Sequence, residues 1–311
     1  MTAIDSPTAA ANRSSRAATL AEQPLLPASP SAHFFGGTAE SLRAVWRYRE
    51  LLGLLFRREL KVRYKDSALG FFWTLLRPLA QLLVYSIAIG QFLHASKGVS
   101  EYPIYVFAGL TVWQLFSEIV NGGTGSILTN GGLIKKIYLP REVFPLSVVS
   151  SSIFNFFMQL CILVAATFAF GKPPIAANLG YAVMAFAIVV LYGSALAFVL
   201  GAVNVYLRDV QYLVEICLMW GLWTAPIVYR WSQVSSSLAN HGAWLRDAYL
   251  SNPVTQAVLG FQRAFWRSGH REDTVSDLHI WMLGSIGIGV VLLWISQRVF
   301  AQLQSDFAQE L

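Results

Sequence analysis

Phe56-Arg57-Arg58-Glu59-Leu60-Lys61-Val62-Arg63-Tyr64-Lys65-Asp66-Ser67-Ala68-Leu69-Gly70-Phe71-Phe72-Trp73-Thr74-Leu75-Leu76-Arg77-Pro78-Leu79 carries a dense block of charge straight into an apolar run. Read as a helix, its first half puts Leu52, Phe56, Leu60 and Tyr64 in one row at spacing four, with Arg57, Lys61 and Lys65 in the adjacent row. Such a segment lies on a membrane face, apolar groups dipped in and basic heads on the anionic lipid surface. Glu59 and Arg63 fall beside the apolar row, so the faces are not cleanly separated, and a plain juxtamembrane anchor accounts for the same pattern. The second half opens a membrane span, which points to an all-α integral membrane fold entered through an amphipathic interfacial helix.

The rest of the chain agrees. Of its 311 residues 55% are hydrophobic and 13% charged, with a mean hydropathy of +0.50; a soluble domain carries about 25% charged residues. The net charge of +6 is spread over the edges of apolar segments, which does not suit nucleic acid as a partner. Cys161 and Cys217 both fall inside apolar segments and read as small buried hydrophobes, neither disulfide nor metal ligands. Residues 1–40, rich in Ala, Ser, Thr and Pro without an apolar core, read as a disordered cytoplasmic tail, and 41–311 as one transmembrane domain.

A bilayer takes about 20 apolar residues per helix. Six spans are expected, at 75–92, 104–120, 143–170, 179–205, 212–228 and 280–300. Basic residues crowd the segment before the first span, and Lys135, Lys136, Arg141 and Arg208 fall on the same side; the first two loops opposite hold only Lys97 and Lys172. Both termini are therefore expected in the cytoplasm of a multi-pass protein of the inner or plasma membrane. The connection 229–279 resists this bias with five arginines, although long loops follow it poorly. It holds two apolar-aromatic runs, 244–250 and 254–266, around Ser251-Asn252-Pro253. Two short re-entrant outer helices meeting at the Asn252-Pro253 turn fit it, as does an ordinary extracellular cap.

There is no G-x-x-x-x-G-K-[ST], H-E-x-x-H or G-x-S-x-G sequence, and no Cys/His cluster at metal spacing, so no catalytic residue or metal site is expected. The spans hold few charges. Glu118 and Glu215 read as interfacial or helix-paired carboxylates, and a gradient-driven relay built on them would be poorly supplied. The stretch 125–141, bounded by glycines and Pro140, and the polar elbow 206–210 are short elements that a separate motor subunit could push; ordinary loops fit them equally.

Four motifs in order make the resemblance specific. The entry segment 56–79, L-P-R-E-V-F-P-L at 139–146, V-Y-L-R-D-V at 205–210 and N-P-V-T-Q-A-V-L-G-F-Q-R-A-F at 252–265 resemble ABC-2 type permeases that export polysaccharides and polyol phosphates, across about residues 45–300. The resemblance implies a transport subunit without enzyme activity, working as a homodimer with two copies of a separate P-loop ATPase subunit. That partner holds the ATP and Mg; this chain has no cofactor. The implied cargo is a polyprenyl-pyrophosphate-linked glycan (O-antigen, teichoic acid or galactan) in cell wall biogenesis, and the Ala/Arg-rich style resembles mycobacterial-type galactan exporters most. An ABC-2 drug or lipid exporter is the nearest alternative.

Under this resemblance Arg57, Arg58, Lys61, Arg63, Lys65 and Arg77 would gather the lipid pyrophosphate, with a snorkelling side chain as the other reading of Arg77. Tyr85, Trp113, Phe116, Trp220, Trp223 and Tyr229 would line the glycan channel, or else belong to interfacial aromatic belts. Asn130, Lys135, Lys136, Tyr138, Tyr206, Arg208 and Asp209 would meet the ATPase, the Arg208–Asp209 pair alternatively bonding to itself or capping a helix. Asn252 and Pro253 would form the outer gate.

Overall fold

The computed structural model describes residues 37–64, 72–92, 99–136, 139–239, 242–266 and 275–311, and no strand occurs among them. Residues 1–36 of the expected tail lie outside that set; Gly37–Glu40 form the first turn of a helix. The helices are α1 (Gly37–Arg47), α2 (Arg49–Tyr64), α3 (Phe72–Val84, running on as a π-helical stretch Tyr85–Phe92), α4 (Tyr102–Thr129) and α5 (Gly131–Ile134). Then follow α6 (Val143–Ala169), α7 (Leu179–Tyr206), α8 (Val210–Thr224), α9 (Trp231–Ala239), α10 (Ala243–Leu250), α11 (Pro253–Phe265), α12 (Leu278–Leu303) and α13 (Phe307–Glu310).

Four helical segments are long and apolar enough to cross a membrane: Tyr102–Thr129, Val143–Ala169, Ala176–Tyr206 and Leu278–Asp306. The first and fifth expected spans are different objects. The first is α3 with its π-helical continuation, and α8 has only 15 residues. At 1.5 Å per residue α8 is about 22 Å long, short of a hydrocarbon core of about 30 Å.

The fold is built on α4 and α7, two long, largely apolar helices that cross through small residues. Gly193, Ala197 and Gly201, at spacing four on α7, make one row facing α4. A Cβ on Gly201 would stand 2.9 Å from the Gly123 carbonyl oxygen, and one on Gly193 would stand 3.0 Å from Ile119. Removing side chains lets the backbones approach, so dispersion replaces the hydrophobic driving force that lipid cannot supply between helices. Gly122, Gly123 and Gly125 are thus helix-packing residues. The loop expected from residue 125 begins only after Thr129, and Glu118 lies in mid-helix where a span end was expected.

At one end of the molecule α2 joins a cluster in which Leu55, Ile127, Phe144, Phe198, Phe300 and Phe307 are buried. Phe56, expected to meet lipid, packs edge-on against Phe154 of α6, and Leu52 rests on this cluster, so these two members of the apolar row of α2 are seated on protein. The same end buries a polar group. Arg298 of α12, 3% exposed, donates to Ser41 Oγ (3.4 Å) and Gln297 Oε1, beside Glu142, 2% exposed, at the head of α6.

At the other end, residues 225–230 run without regular structure between α8 and α9. Their carbonyls are held from two helices: Tyr102 donates to Val228 (2.9 Å), Tyr105 to Pro226 (3.0 Å) and Tyr229 (2.7 Å), and Gln262 Nε2 to Pro226 (2.9 Å). Three short helices, one more than expected, occupy the connection that follows. Asn252 N-caps α11 through Val254 N (2.9 Å), with Pro253 in the first turn where its missing N–H costs nothing. Among α4, α7 and α12, almost every side chain of α11 is buried. The two cysteines are free and exposed on helix outer faces, which corrects the expectation that they are buried.

Candidate functional site

A cavity of about 720 Å³ opens among α3, α4, α6 and α8. Its wall repeats a pattern of amides and carboxylates at helical spacing: Gln81 and Tyr85 along α3 into its π-helical stretch, Gln114, Glu118 and Asn121 on α4, Asn155 and Gln159 on α6, and Glu215 on α8. Each set shares one helix face because residues three and four apart are neighbours there. Trp113, Trp223 and Phe107 supply ring surface. Gly221 makes room for the first of these, since a Cβ there would lie 2.6 Å from the tip of the Trp113 ring.

The polar groups are mutually oriented. Gln114 Nε2 and Asn155 Nδ2 donate to the two oxygens of Glu118, at 3.1 and 2.8 Å. Gln211 Nε2 reaches Asn121 Oδ1 (2.5 Å) and Glu215 Oε1 (3.5 Å), which ties α8 to α4. Asn204 fastens α7 to the same place, donating to Thr124 O (3.0 Å) and accepting from Gln211 N (3.2 Å). Such a chamber can hold a polar, ring-bearing molecule through many hydrogen bonds of moderate strength. Among the described residues no group of His, Cys, Asp and Glu could hold a metal ion.

Of the six expected channel aromatics, Tyr85, Trp113 and Trp223 line this cavity. Phe116 is 9% exposed and packs beside Trp113 in the core, while Trp220 is 67% exposed on the outer face of α8. Tyr229 stands in the irregular turn, donating to Trp223 O (2.7 Å) and paired with the Tyr249 hydroxyl (3.1 Å); burial raises both phenols above the ordinary tyrosine range. The amides of the wall were missed. Their signal was visible as spacing-four pairs such as Gln81/Tyr85, Gln114/Glu118 and Asn155/Gln159 inside otherwise apolar segments.

The basic set and the coupling set meet at the opposite end. Arg58 Nη1 donates to Asn130 Oδ1 at 2.8 Å, and Asn130, 5% exposed, anchors its own amide on Ser126 O (2.8 Å). Arg57, Lys61, Lys135 and Lys136 are exposed nearby in the chain. Tyr206 donates to Leu303 O (2.9 Å) and its ring meets Phe307, over which Arg141 also lies (5.6 Å). Arg208 and Asp209 are exposed; Asp209 stands at the N-cap of α8 without a side-chain bond. Arg63 and Arg77 are placed by their helices alone, and Lys65 and Tyr138 lie outside the described residues. Asn252 and Pro253 form the α10–α11 turn.

Residues 50–266 match the family model described as ABC-2 type transporter. The chain is similar to the O-antigen export system permease protein RfbA of Myxococcus xanthus, 31% identical over 87% of this chain and 98% of that one. It is also similar to the protein of the same name from Klebsiella pneumoniae (24% identical, 84% and 94% covered). A shorter likeness, 32% identical over 95 residues and 30% of this chain, is to the polysialic acid transport protein KpsM of Escherichia coli, of which it covers 35%.

Proposed function

This chain belongs to the ABC-2 type transporter family, and from that premise we propose that it is the membrane permease of an ATP-driven polysaccharide exporter. The observation that carries the reading is the cavity, in which tryptophan and tyrosine faces alternate with carboxamides. Sugar rings present apolar C–H faces and a rim of hydroxyls. Aromatic faces take the former and amides the latter, with no contact strong enough to stop a long polymer from sliding. The cargo is read as a polyprenyl-pyrophosphate-linked glycan, a galactan or an O-antigen-like chain, whose lipid pyrophosphate is collected by the exposed Arg57 and Lys61 of α2.

In this reading the α1–α2–α13 end is cytoplasmic, both termini lie there, and α3, and α8 together with the irregular stretch 225–230 that follows it, complete six membrane passes around the four long helices. The α10–α11 turn then faces outward as a re-entrant gate. A separate ATPase subunit docks at α5 and the Tyr206–Asp209 elbow, and two copies of each subunit make the transporter. The test is to purify the tagged protein from its native membrane and identify what comes with it. An ATPase in equal amount together with a lipid-linked glycan is the expected outcome and names the sugar. Recovery of this chain alone, with transport that follows an ion gradient and ignores ATP, overturns the reading.

A further inference from the structure

The 11 residues of α1 sort into rows at spacing three and four, each on its own side of the helix. Thr38, Ser41 and Val45 form the row turned to protein, Ser41 buried and the other two half-buried. Thr38 Oγ1 accepts from Trp294 Nε1 of α12 at 3.1 Å, and Ser41 Oγ accepts from Arg298 of the same helix at 3.4 Å. Ala39, Leu42 and Trp46 form a second row that stands clear of it, Leu42 67% and Trp46 71% exposed. Glu40, Arg43 and Arg47 form a third, all exposed, and the Arg49 guanidinium lies 5.7 Å from the centre of the Trp46 ring.

The level at which α1 sits decides what meets its second row. Its anchors Trp294 and Arg298 fall within Leu278–Asp306, a segment apolar enough to cross a membrane. Along the same length of α12, Val291 and Ile295 are 54% and 38% exposed. α1 therefore runs beside the end of a membrane helix. Leucine left in water there is costly, and tryptophan favours the boundary between acyl chains and head groups. Guanidinium forks match the phosphates of lipid head groups.

We propose that α1 is a foot resting on an anionic phospholipid leaflet, with Leu42 and Trp46 sunk to the acyl boundary and Arg43, Arg47 and Arg49 on the head-group phosphates. The sequence pattern points to α2 for that place. Leu52 and Phe56 of α2 are seated on protein, however, and the shorter helix before them keeps a free apolar row. Because Thr38 and Ser41 fasten α1 to α12, the foot sets the height of that helix against the bilayer. Its place follows from α12 crossing the membrane, whatever the cargo.

The experiment uses the full chain, without Cys161 and Cys217, in nanodiscs of mixed phosphatidylglycerol and phosphatidylcholine, with a nitroxide at Leu42→Cys, Trp46→Cys or Arg47→Cys. All three side chains are exposed, so the anchors on α12 stay in place. Power-saturation EPR compares collisions with oxygen, which concentrates in the bilayer, and with a nickel chelate, which stays in water. The oxygen-to-nickel ratio at positions 42 and 46 is expected to exceed that at 47 by about fivefold. In phosphatidylcholine alone the ratio at 42 should fall by about twofold, and Arg43→Gln with Arg47→Gln should give that lower value in both lipids. Equal ratios at 42 and 47 would put α1 in water, and shielding from both reagents would put protein over it; either outcome overturns the proposal. A ratio at 42 that ignores phosphatidylglycerol removes anionic lipid as the partner and overturns it as well.

Discussion

Gly201 stands where two transmembrane backbones touch, and its replacement has a defined consequence. Gly201→Val sets two methyl groups against the Gly123 carbonyl, which a rigid helix cannot move aside. The expected cost is about 1–3 kcal/mol, visible as a lowered Tm of the purified protein; Gly284→Val, with open space around its Cβ position, is the matched control and should leave Tm unchanged. Glu142 makes a pH prediction. Burial, opposed by Ser41, Arg298 and Gln297, raises its pKa above 4.5. The folded state therefore binds that proton more tightly than the unfolded chain does, and the stability it lends is complete below pH 4.5 and lost as pH rises through the folded pKa. Glu142→Gln should gain Tm over the unmodified protein as pH is raised from 4.5. A gain that shrinks with pH would mean that the attraction to Arg298 outweighs burial.

Among the elements, α2 was legible as amphipathic but not as to what covers it. The spacing of Leu52 and Phe56 shows an apolar face, and a face alone does not say whether lipid or Phe154 will meet it. Gly125, taken as the start of a loop, misled for a related reason. In water glycine weakens a helix, whereas between membrane helices its missing side chain is the contact, and only the partner row Gly193, Ala197, Gly201 reveals that. The Asn252-Pro253 start of α11, in contrast, was readable from two residues because capping is local. The Arg58–Asn130 bond joins two elements that the sequence kept apart, 72 positions from each other. Arg58→Ala should leave the protein folded, lower the Tm by the few degrees that a half-buried bond of about 1 kcal/mol allows, and reduce export per ATP by about fivefold. Full export with normal ATP turnover would remove α2 from the coupling path.

For the whole molecule, the four long helices could be counted from apolar length, but the cavity could not be drawn. It is made of residues from four segments spread between Pro78 and Trp223, and the aromatic residues chosen by position alone scattered over cavity, core and outer face. Orientation is testable directly. In intact cells a membrane-impermeant maleimide should label Trp244→Cys, 69% exposed at the start of α10, and should reach Lys135→Cys only after the membrane is opened, both in a background without Cys161 and Cys217. The reverse pattern would invert the molecule. The irregular stretch 225–230 carries one further consequence. Because Tyr102, Tyr105 and Gln262 all grip its carbonyls, the head of α4, the foot of α8 and α11 form a single abutment, like the fixed jaw of a vice. Across the chamber from it, α3 gives way to the π-helical turns that begin at Tyr85, and Tyr85 itself lines the cavity.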